Sequence, residues 1–174
     1  MKRLSLIALT FILFVAFSPS VFAQSDYVLP YPSYMPGSKM YKIHQILETL
    51  ESYWYFGNFA KFDYNLSLSN KYLVEAKTLF DYKQYLLAYK GLEKSNHYFL
   101  NAAPYLKKAK EEGKDISQKR AILKSAGEKH IEILQDLAKV APPIFVWKPE
   151  KTSSTTLDIK NLIDTSIHVR ASYL

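Results

Sequence analysis

Between residues 59 and 103 apolar side chains recur at alternating steps of three and four, the signature of amphipathic helices rather than strands. Phe59, Phe62, Leu66, Leu73, Ala76 and Phe80 line a first arm, and Tyr85, Ala88, Leu92, Phe99 and Ala103 line a second. A strand would alternate with period two, and these positions do not. Two amphipathic arms that share a short joint fold face to face. The joint falls at Phe80 to Gln84, where Asp81 and Gln84 have the spacing of a capping box.

The same pattern extends in both directions. Met40, Ile43, Leu47, Leu50 and Trp54 predict a helix from about Lys39 to Phe56 with that stripe in the core, stopped by Gly57 and followed by Asn58 as a cap. Pro104 predicts a kink or break in the second arm. Asp115 to Gln118 form a second capping-box pattern, opening a helix from about Ile116 to Val140 that buries Ile116, Leu123, Ala126, Ile133, Leu134 and Leu137. Pro142 and Pro143 terminate it, Ile144 to Trp147 read as an apolar strap, and Thr152 to Thr156 read as a polar linker. Ile159, Leu162, Ile163 and Ile167 give the tail, residues 157–174, a weak helical pattern. The expected fold is all-α, a four-helix bundle-like domain (39–141) with an extended Tyr/Pro arm (24–38), a strap and linker (142–156) and a C-terminal tail helix.

The arm is extended because Pro30, Pro32 and Pro36 deny it a helix and favour polyproline II. Its large apolar side chains suit it to lie on the bundle. Ahead of it, Lys2 and Arg3, the apolar run Leu4 to Phe17, and Val21-Phe22-Ala23 read as a secretory signal peptide cut after Ala23. The alternative is an uncleaved N-terminal membrane anchor, since Leu4 to Ala23 is about long enough to span a bilayer. Cleavage removes Lys2 and Arg3 and lowers the net charge from +7 to +5. The chain is thus expected to be exported, periplasmic or extracellular, and soluble once cleaved. It has no cysteine, which excludes disulfides, thiolate chemistry and lipid attachment at an N-terminal Cys.

Leu29-Pro30-Tyr31-Pro32, then Pro36-Gly37-Ser38 and Met40-Tyr41, resemble the opening of a bacterial extracytoplasmic domain family of unknown function. Asn70-Lys71 with Leu73, Glu75 and Ala76 is similar to that family's second helix, and Leu87-Ala88 with Leu92 to Tyr98 to its third. The resemblance covers about Tyr27 to Ala103, and departs from the pattern at Lys39, often proline, and His44, often lysine. It implies a helical, exported domain and assigns no activity and no cofactor.

Candidate chemistry is sparse. Glu93 and His97, four apart, share a helix face as a metal site would require, but the Glu-x-x-His spacing of bundle di-metal sites is absent. His130 falls near the apolar stripe of its helix and reads as a satisfied, half-buried histidine. There is no Gly-x-Ser-x-Gly, His-Glu-x-x-His or glycine-rich phosphate loop. These absences assign no catalytic, cofactor-binding or metal-ligating residue, and the chain reads as non-enzymatic. Lys107 to Lys129 hold the densest basic run, but interleaved Glu111, Glu112, Asp115 and Glu128 mark a solvated face, at most a weak contact with anionic membrane or cell-wall polymer. Export disfavours nucleic acid. Tyr72, Ala76, Leu79, Ala88 and Leu92 match one tetratricopeptide unit, yet a shift of about 34 residues puts Lys110 and Ile122 where alanines should recur, so there is no solenoid.

The aromatic strip Tyr27, Tyr31, Tyr34, Tyr53, Trp54 and Tyr55 either clamps the arm to the helices or lines a groove. If it clamps, Trp54 is buried, and Trp54→Ala costs roughly 3 to 5 kcal/mol. The expected interaction surface is Tyr31, Tyr34, Trp54, Tyr55, Glu93 and His97, on an interaction or structural module whose partner is another envelope protein. The alternative is a small-ligand or metal-binding extracytoplasmic domain using Glu93, His97 and the tyrosines.

Overall fold

A computed structural model describes residues 26–32, 34–151 and 153–174. The expected signal peptide, residues 1–23, lies outside the described residues. Among the described residues five helices and a two-stranded sheet follow in the order α1 (Lys39–Glu51), α2 (Asn58–Asp81), α3 (Tyr85–Glu111), α4 (Ser117–Val140), β1 (Ile144–Trp147), β2 (Thr155–Asp158) and α5 (Ile159–Ala171). The protein is mostly α-helical, as expected, with a four-helix core.

The α2–α3 hairpin is the centre of that core. Phe62, Leu66, Leu73, Ala76, Phe80, Ala88, Leu92 and Phe99 are all buried, as their spacing predicts. Backbones approach closely at Gly91, where a Cβ would stand 3.3 Å from the Ala76 Cβ. The joint is built differently from the expected capping box. Lys83 takes a left-handed φ of 59°, Gln84 N–H donates to the Leu79 carbonyl at 2.8 Å and Lys83 N–H to that of Phe80 at 2.9 Å. This is a Schellman cap at the end of α2. Asp81 pairs instead with Lys77 at 3.0 Å. Gly113, at φ 77°, closes α3 in the same way, with Lys114 N–H donating to the Ala109 carbonyl at 3.0 Å and Gly113 N–H to that of Lys110 at 2.9 Å.

Three further expectations are corrected. Pro104 neither breaks nor ends α3, which runs on to Glu111. Pro104 faces solvent while Phe99, Ala102, Leu106 and Ala109 on either side of it are buried, so packing holds the helix across the lost hydrogen bond. The strap pairs antiparallel with the end of the linker and the first two residues of the expected tail, with Phe145 opposite Leu157 on the inner face and Leu157 buried. Helix α1 ends at Glu51 rather than Phe56, because the aromatic run Tyr53 to Phe56 is a poor helix former and Gly57 follows at φ 83°.

The fourth core helix is the tail, α5, whose Ile159, Leu162 and Ile163 are buried where it packs on α3 and α4. Asp158 caps it by accepting from Asn161 N–H at 2.9 Å. Helix α1 lies outside this core. The arm does rest on the molecule as expected, through Leu29 and Met35 on one apolar cluster and Tyr27 on the other.

Candidate functional site

Helix α1 is turned the opposite way to its expected orientation. Met40, Ile43, Ile46, Leu47 and Leu50 are 45 to 62% exposed, whereas Glu48, next to Leu47, is 8% exposed. On an α-helix at about 100° per residue, those apolar positions occupy one arc, and Tyr41 and Glu48 lie on the far side. The polar side meets the bundle. The Glu48 carboxylate pairs with Lys71 and accepts from Tyr72 Oη at 2.8 Å, while its backbone carbonyl accepts from Tyr64 Oη at 2.8 Å. Tyr41 Oη donates to Glu75 Oε1 at 2.7 Å. Ser38 caps the helix by accepting from Met40 N–H at 3.3 Å.

These anchors explain the orientation. α2 presents Lys71, Tyr72 and Glu75 where α1 crosses it, and burial makes such groups costly unless they are paired. Burial pushes the Glu75 carboxyl up, a trend opposed by the Tyr41 hydrogen bond, and its second oxygen is buried with no partner among the described residues. Burial likewise lowers the Lys71 ammonium and raises the Tyr41 and Tyr72 phenols. Polar pairing therefore claims one face of α1, and the apolar face is left in solvent.

The aromatic candidates divide. Trp54 is 73% and Tyr31 93% exposed, so neither is a buried clamp, and the expectation of Trp54 in the core is overturned. Tyr53 and Phe56 are exposed beside Trp54 and extend the apolar surface of α1. Tyr34 stacks on His44 of α1 at 4.3 Å, and Tyr55 packs on Tyr64 of α2 at 4.8 Å.

Glu93 and His97 lie apart from that surface. They line an open cleft of about 680 Å³ between α1 and the hairpin, with Gln45, Tyr72, Lys94 and Tyr98 also on its walls. Both are exposed. His97 Nε2 is 3.0 Å from the Asn101 amide nitrogen, which donates to it if the imidazole proton sits on Nδ1. Lys94 sits 4.8 Å from the Tyr72 ring centroid, and Tyr72 stacks on Tyr98 at 5.6 Å. Among the described residues no group of three or more His, Asp or Glu side chains converges as metal ligands. In the basic run, Lys114, Lys119, Lys124 and Lys129 pair with Glu112, Asp63, Glu128 and Glu132.

A polar layer escaped the sequence reading. Between the two apolar clusters of the core lies Arg170, fully buried. Its Nε donates to His130 Nδ1 at 3.1 Å, one terminal nitrogen to Ser95 Oγ at 2.8 Å, and the other to Asn96 Oδ1 and the Ser166 carbonyl. His130 Nε2 lies 2.8 Å from Asn70 Oδ1, and Asn70 Nδ2 donates to Tyr27 Oη at 2.8 Å. The imidazole is therefore neutral with its proton on Nε2. His130 is satisfied, as expected, but fully rather than half buried. All groups accepting from Arg170 are neutral, and the Phe99 ring lies 5.1 Å from its guanidinium carbon. Burial lowers Arg170 to about 9, so it stays charged at neutral pH. Burial and the neighbouring Arg170 charge hold His130 well below the usual histidine range. The readable signal was that Ser166 and Arg170 continue the stripe of Ile159, Leu162 and Ile163 at helical steps.

A scan against protein-family models finds no match, and searches of curated proteins and of solved structures find none either. Among the described residues no helix is long and apolar enough to cross a membrane.

Proposed function

We propose that this chain is an exported, non-enzymatic module of the bacterial cell envelope that acts by binding protein through the outward face of α1. The observation that carries this reading is the unpartnered stripe Met40, Ile43, Leu47 and Leu50, extended by Trp54 and Phe56. Contiguous exposed apolar surface of this kind marks interaction sites, and aromatic side chains are favoured in them. The Glu48–Lys71 and Tyr41–Glu75 contacts hold the stripe outward. The N-terminal leader and the family resemblance support export.

A second reading has one observation in its favour. The cleft bearing Glu93 and His97 is large enough for a small ligand and carries several polar groups. Cross-linking in intact cells separates the two. The first reading expects a captured protein that is lost when Leu47→Glu is introduced and retained in Glu93→Gln with His97→Ala. A stoichiometric metal or small molecule in the purified protein, lost in the Glu93 and His97 variant, favours the second.

A further inference from the structure

The buried layer around Arg170 answers a proton on one side only. His130 Nε2–H already donates to Asn70 Oδ1, and Nδ1 accepts from Arg170 Nε at 3.1 Å, so Nδ1 is the site left for a second proton. A proton there turns the accepting nitrogen into a donor facing another donor, and sets two cations side by side. The groups that face His130 are Asn70 from α2, the Phe99 ring from α3 and Arg170 from α5, with the Tyr27 phenol of the arm behind Asn70. None of them is a carboxylate that could take up the added charge. Asp63, which bears on Tyr27, is paired with Lys119. Protonation therefore keeps the bond to Asn70 and loses the one to Arg170.

The two halves of α5 are held by different means. Ile159, Leu162 and Ile163 bury apolar side chains in the first half. In the second half the buried residues are Ser166 and Arg170, while Ile167 and Val169 are half-buried. The guanidinium, bonded to Ser95 and Asn96 of α3 and to His130 of α4, is thus the main tie of that half. We infer that the layer is a proton-operated latch: a proton from solvent taken up at His130 Nδ1 displaces Arg170 and frees the second half of α5, while Asn70, Tyr27 and the arm stay in place. This goes beyond the docking surface on α1 and does not depend on it.

The direction follows from linkage. In the latched form burial and the Arg170 charge hold His130 well below the usual histidine range, and in the opened form the imidazole meets water and titrates near its ordinary value of about 6.5. Below that pH the opened form binds the extra proton. Its population relative to the latched form then rises about tenfold for each pH unit, until the latched form titrates as well.

Native-state hydrogen exchange of the full chain, followed by NMR between about pH 5 and 7.5 and corrected for intrinsic rates, tests the latch. The amides of residues 166–170 are expected to open more readily than those of the α2–α3 hairpin, and to gain about tenfold in opening per pH unit below about 6.5. Fraying of a helix end leaves His130 buried and carries no such slope. His130→Gln keeps an acceptor and takes no proton, so it should remove the slope. The imidazole 15N shifts of the wild type need no variant, and should show Nδ1 protonated only as the second half of α5 opens. Nδ1 protonated while residues 166–170 stay protected, a slope that survives in His130→Gln, or residues 166–170 opening only together with the hairpin would each overturn the inference.

Discussion

Glu48 of α1 forms an ion pair with Lys71 of α2 beneath the helix, and that pair decides which way α1 faces. Both side chains are largely buried, at 11% and 19% exposure, so neither charge is easily left alone. Turning the helix to bury Leu47 would strand Lys71 and Tyr72 without their carboxylate.

Removal of the anchor is therefore expected to cost more than an exposed pair would. Glu48→Ala should destabilise the fold by about 2 to 4 kcal/mol, somewhat below the range for fully buried pairs because some solvent reaches this one. Urea denaturation measures that loss, and hydrogen exchange should place it in α1 while the α2–α3 hairpin stays protected.

Trp54 and Phe99 make a contrasting pair. Trp54 is 73% exposed, so Trp54→Ala should change stability by no more than about 0.5 kcal/mol. Phe99 is fully buried, and Phe99→Ala should cost about 3 to 5 kcal/mol. Thermal melts of both variants check the assignment, and equal losses would put Trp54 back in the core.

The hairpin was legible because its partners are its neighbours in sequence, and Leu66, Leu73, Ala76, Leu92 and Phe99 bury the faces their spacing requires. Helix α1 was misread by the same rule. Its stripe is as regular as any in the chain, but periodicity identifies an apolar face without saying what covers it. The orientation is set by three polar groups on α2, distant in sequence. The tail was undervalued for a related reason: Ser166 and Arg170 dilute its stripe, and their partners Ser95, Asn96 and His130 lie on other helices. Of the expected site residues, Glu93 and His97 share a cleft, while Tyr31, Tyr34, Trp54 and Tyr55 do not line it.

Arg170 ties α5 to α3 and α4, so its loss should be severe. Arg170→Ala leaves His130 Nδ1 and Asn96 Oδ1 without their donor, takes one of the partners of Ser95 Oγ, and should cost about 3 to 5 kcal/mol. Arg170→Lys should recover little of this, because one ammonium cannot reach four separated acceptors in the plane that a guanidinium spans. Chemical denaturation of both variants gives the comparison.

His130 should make the fold acid-sensitive. Its pKa lies well below the usual value in the native state and near 6.5 when unfolded, so below that point the unfolded chain binds the extra proton. Its contribution is complete above about pH 6.5 and is lost as pH falls towards the native pKa, at about 1.4 kcal/mol per pH unit. Protonation would also aim a second donor at Arg170 Nε, which already donates to His130 Nδ1. Stability measured between pH 5 and 7.5 should fall more steeply for the wild type than for His130→Gln, and identical slopes would remove His130 from the account.

The most direct test of the docking surface is a photo-reactive phenylalanine analogue placed at Leu47 and, in a parallel strain, at Lys139, with both irradiated in intact cells. The account predicts a discrete cross-linked protein species from position 47, whether a second copy or another envelope protein, that disappears when Ile43→Glu is added and has no counterpart at position 139. No product at position 47, or the same products from both positions, would contradict it.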